Sequence, residues 1–158
     1  MKAVVIGNGA AGNSAAFTIR KLSPEADISL FSADTLPEYS PCLLPNYVAG
    51  SVSREQVFLR SLPDYQKYNI HTFFGEKVVQ IDTTAQKVRS ENQSTPYDKL
   101  VIASGSRPVI PNIMGLNKNG TFTLKSMQDV DAILDYPGKT VAVAGSGPIG
   151  TSASAALK

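Results

Sequence analysis

The chain carries one glycine spacing twice, each time directly behind a short apolar run. Ala3-Val4-Val5-Ile6 leads into Gly7-Asn8-Gly9-Ala10-Ala11-Gly12, and Val141-Ala142-Val143-Ala144 leads into Gly145-Ser146-Gly147-Pro148-Ile149-Gly150. The physical demand behind that spacing is narrow. One glycine makes a tight turn, a second lets the backbone approach a diphosphate, and a third lets a helix lie close against a strand. The helix that follows offers unpaired N–H groups and partial positive charge to the phosphates. A lone copy of such a motif says little, but a strand before it and a helix after it are the confirming context. Two copies therefore imply an α/β chain with two dinucleotide sites. Only eight residues follow Gly150, whereas a strand–helix–strand unit takes about 30, so these residues alone do not complete the second site: either the sequence is a fragment or the second unit is vestigial.

The rest of the chain supports this framework. The β-branched run at residues 3–6 reads as a buried parallel strand. After the first glycine turn, Ala15, Ile19 and Leu22 fall at helical spacing and predict one apolar face; Ser23-Pro24 stops that helix. Ile28 to Phe31 reads as a second strand. Residues 32–53 contain Pro37, Pro41 and Pro45 and read as irregular, a length of loop that is usually functional. Ser53 with Gln56 resembles a capping box for a short helix, and a second short helix is expected over Asp64 to Tyr68. Strands joined by tight turns are expected at Ile70 to Phe74, Val78 to Ile81 and Lys87 to Arg89. Leu100 to Ala103 and Val141 to Ala144 read as fully buried strands. Ser126 is the expected cap of a helix running to about Leu134.

Bulk properties exclude several classes. With 15 basic and 13 acidic residues in 158 the net charge is +2, and no basic run or basic–aromatic alternation calls for nucleic acid. No apolar stretch reaches the roughly 18 residues of a membrane span, and the apolar N-terminal run is too short for a signal peptide. The single cysteine permits no internal disulfide. A cytoplasmic protein is the expectation.

Four segments together resemble the FAD-dependent pyridine nucleotide–disulfide oxidoreductases, in particular their single-cysteine branch of coenzyme A–disulfide reductases and NADH oxidases. They are the first glycine turn; Tyr39-Ser40-Pro41-Cys42-Leu43-Leu44-Pro45; Tyr97-Asp98-Lys99-Leu100-Val101-Ile102-Ala103-Ser104-Gly105-Ser106-Arg107-Pro108; and Val143 to Gly150. The resemblance implies a Rossmann-like FAD-binding parallel sheet with a small antiparallel β insertion, followed by the truncated start of a second Rossmann unit. It divides the chain into an FAD-binding domain at 1–110, a linker and helix at 111–138, and the beginning of an NAD(P)H-binding domain at 139–158. The FAD contacts it implies are Gly7, Gly9, Ala10, Ala11, Gly12, Ser32, Val78, Ala103, Ser104 and Gly105; NAD(P)H would meet Gly145, Gly147 and Gly150. An acidic residue at the end of the second strand usually holds the ribose hydroxyls; Ser32 stands there, with Asp34 two residues on.

The resemblance also gives Cys42 the role of a redox thiol, cycling through a mixed disulfide or sulfenic acid, chemistry that requires the thiolate. On the residues alone an inert cysteine is the competing reading. Ser14, Thr18 and Lys21 share one helix face, and in coenzyme A–disulfide reductases these positions meet the substrate; two further substrate positions fall on Glu38 and Pro41, both departures from the family's serine and asparagine. Ala10 stands where the peroxidase branch has histidine, and His71 receives no role. The implied activity passes electrons from NAD(P)H through flavin to a small-molecule disulfide, a sulfenate or oxygen, in a parent protein that is a homodimer without nucleic-acid or membrane partners. Two alternatives stand beside it: a cysteine-independent flavin relay of the rubredoxin- or nitrite-reductase kind, and a catalytically inert flavin-binding or structural fragment.

Overall fold

The computed structural model describes residues 1–138 and 140–158, so residue 139, where the third sequence segment was expected to begin, lies outside the described residues. The chain divides into two units, one of residues 1–39 and 58–105, the other of residues 40–57 and 106–158.

The first unit is built on a parallel sheet. Its strands are β1 (Lys2–Ile6), β2 (Asp27–Ser32), β3 (Ile70–Phe74) and β7 (Lys99–Ile102), in the order β3-β2-β1-β7. In register, Val4 lies between Ser29 of β2 and Leu100 of β7. The alternation of side chains across a strand sends Ala3, Val5, Ile28 and Leu30 to one face, where they pack with Ala16 of α1 (Ala10–Leu22) and Tyr65 of α4 (Leu62–Lys67). Val4 and Phe31 point to the other face, against Val88 and Tyr97. That face is covered by a second, antiparallel sheet of β4 (Val78–Asp82), β5 (Lys87–Ser90) and β6 (Ser94–Pro96), in the order β4-β5-β6. Phe31 and Phe73 are register partners and stack at 4.6 Å between ring centres. Full burial of each such side chain is worth about 1.5–3 kcal/mol, and this accounts for the two strands, β1 and β2, that hold the layers together.

Three sequence expectations need correcting here. The run Leu100 to Ala103 is not fully buried: β7 is an edge strand, and Ile102 is 63% exposed. Leu22 is exposed, and the buried side of α1 is Gly12, Asn13 and Ala16, with Phe17 and Ile19 packed alongside. One strand of the insertion, β6, was not foreseen.

The second unit contains a 3-10 turn (Pro41–Leu43), α2 (Leu44–Val48), α3 (Arg54–Val57), α5 (Met127–Leu134) and α6 (Pro148–Ala156). Helix α2 packs on α5 and α6. Its proline, Pro45, occupies the first turn, where the missing N–H costs nothing, so a segment read as irregular is partly helical. Gln56 reaches back to the Ser53 N–H at 2.7 Å, while the Ser53 hydroxyl donates to Glu55 rather than capping the helix. The Ser126 cap is made in full: its oxygen accepts the Asp129 N–H at 3.2 Å and Asp129 accepts the Ser126 N–H at 3.0 Å. Arg54 and Asp131 form a two-pronged ion pair that ties α3 to α5. Val141 to Ala144 is not a buried strand. It pairs with no described strand, and Val141 and Val143 are exposed; an apolar run becomes a strand only where a neighbour takes up its N–H and C=O groups.

Candidate functional site

Because the four strands of the first sheet are parallel, their carboxyl ends share one edge. The chain winds from β1 through β2 to β3 on one side and returns as β7 on the other. The reversal point therefore lies between β1 and β7, the place where open α/β sheets hold their ligands. Gly7 follows β1 there, and Ala103, Ser104 and Gly105 follow β7.

The first glycine turn fits that position atom by atom. Gly7 adopts φ +110°, and a Cβ on it would stand 2.1 Å from the Ala103 carbonyl oxygen, so only glycine lets the two strand ends approach. A Cβ at Gly12 would stand 1.8 Å from the Gly7 carbonyl oxygen and 3.5 Å from Val5 Cγ1, which sets α1 hard against β1. Gly9 is different: a Cβ there meets nothing within 4 Å. It is the N-cap of α1, with no side-chain cap and no acidic residue in the first turn, and Gly9, Ala10 and Ala11 are exposed. The first N–H groups of a helix have no partner within it, and here they face open space with the positive end of the helix dipole.

The second turn repeats the geometry without a strand before it. A Cβ at Gly150 would stand 2.1 Å from the Gly145 carbonyl oxygen and 3.6 Å from Val143 Cγ1, while Gly145, at φ +129°, and Gly147 have open space. Thr151 N–H donates to Gly147 O at 3.0 Å, as Asn13 N–H does to Gly9 O at 3.0 Å.

Other predicted residues divide. Ser32 ends β2, is buried, and its hydroxyl accepts the Asp34 N–H at 3.0 Å. The Asp34 carboxylate accepts the Leu36 N–H at 3.1 Å and the Tyr39 hydroxyl at 3.2 Å. Val78 opens β4, half-buried. Ser14, Thr18 and Lys21 are all exposed on α1. Glu38 does not join them: it is 6% exposed and its carboxylate takes the Arg60 Nε–H at 2.8 Å. Burial pushes the Glu38 carboxyl above the usual carboxylate range, and Arg60 opposes that. Pro41 and Cys42 lie in the 3-10 turn of the second unit, and the thiol is exposed. His71 is largely exposed, 3.8 Å from Asp27.

A group of residues that sequence reasoning missed lies under the first turn. Asn13 is fully buried; its Nδ2 donates to the carbonyls of Asn8 at 2.8 Å and Gly9 at 3.2 Å and to Asn8 Oδ1 at 2.9 Å. Its Oδ1 accepts the Tyr65 hydroxyl at 2.9 Å. Tyr65 Oη in turn accepts the Glu38 N–H at 3.1 Å. The available signal was an amide side chain among the small residues from Gly12 to Ala16. Among the described residues no cluster of His, Cys, Asp or Glu is arranged to hold a metal, and no helix is long and apolar enough to cross a membrane.

A Rossmann-type sheet with a glycine turn at its reversal point defines a dinucleotide-binding protein, and the comparisons specify which kind. The model of the pyridine nucleotide–disulphide oxidoreductase family matches residues 1–158. The chain is 33% identical to an NADH oxidase of Methanocaldococcus jannaschii, over 100% of this chain and 38% of that protein. It is 35% identical to an NAD(P)H coenzyme A polysulfide/persulfide reductase of Pyrococcus horikoshii, over 94% of this chain and 35% of the relative. Among solved structures, an NAD-dependent persulfide reductase from A. fulgidus superposes with a TM-score of 0.91 at 32% identity, covering 99% of this chain and 32% of that one. The chain belongs to the pyridine nucleotide–disulphide oxidoreductase family, and it spans about a third of the length of these relatives. Membership implies FAD and NAD(P)H as cofactors. The residues present fit a dinucleotide: the open approach at Gly9 and the uncapped start of α1 are what a diphosphate needs.

Proposed function

We propose that this chain is the N-terminal, FAD-holding part of an NAD(P)H-dependent oxidoreductase that passes electrons to a disulfide, a persulfide, a sulfenate or oxygen, with Cys42 as its redox thiol. The observation that carries the reading is the contrast within one turn. Gly7 and Gly12 are glycines because a Cβ would strike backbone, whereas Gly9 is a glycine beside empty space. The fold does not need that space, but a ligand does.

FAD, when bound, supplies hydride acceptance from NAD(P)H and onward transfer of the electron pair. The chain's own residues do the rest. The amides that open α1 hold the diphosphate, with Gly9 leaving room for it. Ser32, Val78 and the segment Ala103-Ser104-Gly105 supply backbone and hydroxyl contacts along the carboxyl edge of the sheet. Gly145, Gly147 and Gly150 begin the NAD(P)H site in the same manner. Cys42 exchanges with a disulfide substrate, and the net reaction, one disulfide plus NAD(P)H plus a proton, gives two thiols and NAD(P)+. Ser14, Thr18 and Lys21 form an exposed face for an anionic thiol substrate, with Lys21 as a point charge; Glu38, buried against Arg60, takes no part in that face.

Titration of the purified chain with FAD, followed by flavin absorption and fluorescence, tests the reading. The chain binds FAD, and Gly9→Ala weakens binding at least tenfold while changing stability by no more than about 1 kcal/mol, the range of N-cap substitutions. A wild-type chain that leaves flavin free in solution overturns it and favours the structural-fragment alternative.

A further inference from the structure

The buried chain of hydrogen bonds under the first glycine turn has no part in the cofactor contacts described so far. We propose that Asn13 and Tyr65 are positioning residues that preset the diphosphate-binding turn, and that Glu38 is the far anchor of this device. The inference rests on the reading of that turn as a dinucleotide site.

The case is one of polar accounting. Peptide units in a turn of this kind must aim their N–H groups at the ligand, so the carbonyls of the same units must be satisfied on the other side. Asn13 Nδ2 does this for Asn8, and it adds a second bond to the Gly9 carbonyl, which already accepts the Asn13 backbone N–H. Its amide group is completely buried and rigidly placed, because Oδ1 is held by Tyr65 Oη at 2.9 Å. Tyr65 Oη also stands 3.1 Å from Asn8 Oδ1, and Asn8 Nδ2 donates to Leu36 O at 2.8 Å. Residue 8 is thus clasped from two directions. At the other end Tyr65 Oη accepts the Glu38 N–H, the Glu38 carbonyl accepts the N–H groups of Leu59 and Arg60, and its carboxylate takes Arg60 Nε–H. Arg60 is itself fixed above the Phe17 ring at 3.7 Å. No buried side-chain polar atom is left unpaired among the described residues. A fully satisfied buried network fixes one arrangement of the backbone it touches, and here that backbone is the turn. A turn already held in its binding shape pays less ordering entropy on binding.

Glu38 is where the family resemblance expected a substrate contact. In this chain the residue faces inward, and its departure from the family's usual residue at this position becomes intelligible: the larger, charged side chain reaches Arg60.

Two readouts separate positioning from mere packing. The first is FAD affinity of Tyr65→Phe and Asn13→Leu, compared with Ile70→Ala. Ile70 is a core residue at the amino end of β3, away from the turn. The second is native-state hydrogen exchange of the ligand-free protein at the Gly7 and Asn13 amides, which are bonded to Phe31 O and Gly9 O. Tyr65→Phe should bind FAD roughly five- to tenfold more weakly, the size of one buried hydrogen bond. Both network variants should speed exchange at these two amides more than Ile70→Ala does. Exchange and affinity no different from the Ile70→Ala control would overturn the proposal. If the wild type binds no FAD while the exchange difference is present, the network stands and the cofactor reading falls. Should Asn13→Leu fail to fold, Tyr65→Phe alone decides.

Discussion

The α-carbon of Gly12 faces the carbonyl oxygen of Gly7 so closely that a methyl group would stand 1.8 Å from it. Gly12→Ala should therefore lower unfolding free energy by about 2–4 kcal/mol, through overpacking against backbone that cannot yield. Urea unfolding followed by far-UV circular dichroism measures it. A loss below 1 kcal/mol would mean that α1 has room to move off β1.

The Arg60–Glu38 pair predicts a pH signature. Burial raises the Glu38 carboxyl from 4.5, and Arg60 is what opposes the rise. An acid whose folded-state value is raised binds protons more readily folded than unfolded, so its contribution to stability is present at low pH and declines as pH climbs past 4.5. Arg60→Met removes the opposing charge and makes that decline steeper. The variant should be close to wild type near pH 4, apart from lost packing on Phe17, and about 1–3 kcal/mol less stable at pH 7, the worth of a charged hydrogen bond. Denaturant midpoints across that range check it; a gap that is constant with pH assigns the whole effect to the aromatic contact.

Arg54 and Asp131 are joined by two hydrogen bonds, and the interaction pushes the Arg54 guanidinium above its usual range. Their side chains are nevertheless 37% and 40% exposed. Exposure should prevail over geometry: Asp131→Asn is expected to cost at most about 1 kcal/mol, and the difference should shrink in molar salt. Thermal melts at two ionic strengths suffice.

Cys42 is the one cysteine in the sequence, and it is exposed. An aromatic disulfide reagent should titrate one thiol per chain before any denaturant is added. If Cys42 is the redox thiol proposed above, Cys42→Ser in the FAD-loaded protein should abolish NADH-dependent release of thiol from a disulfide substrate. Unchanged turnover there would favour the flavin-relay alternative.

The parts of the fold that were legible in the sequence are those encoded by short-range necessity. β1, α1 and β2 were readable because an apolar β-branched run, a glycine turn and a proline stop each impose local geometry. The same logic misled at Val141 to Ala144, where the residues favour a strand but no described neighbour pairs with them. It also overstated burial at Ile102, since a sequence does not say which strand lies at an edge. Pro45 hid α2, because proline breaks a helix interior yet opens a first turn. In the candidate site, the glycines were visible as a pattern. The Asn13–Tyr65–Glu38 network was not, because its members are 25 to 52 positions apart in sequence and meet only when α1, α4 and the segment after β2 pack together.

The turn at Gly145–Gly150 keeps the shape of its counterpart although the residues before it join no ladder. A bend that forms without a ladder before it leans on its own glycines and on the packing of the helix it opens, α6, against α2. Its close approach of Gly150 to the Gly145 carbonyl thus arises without ladder pairing of the run before it.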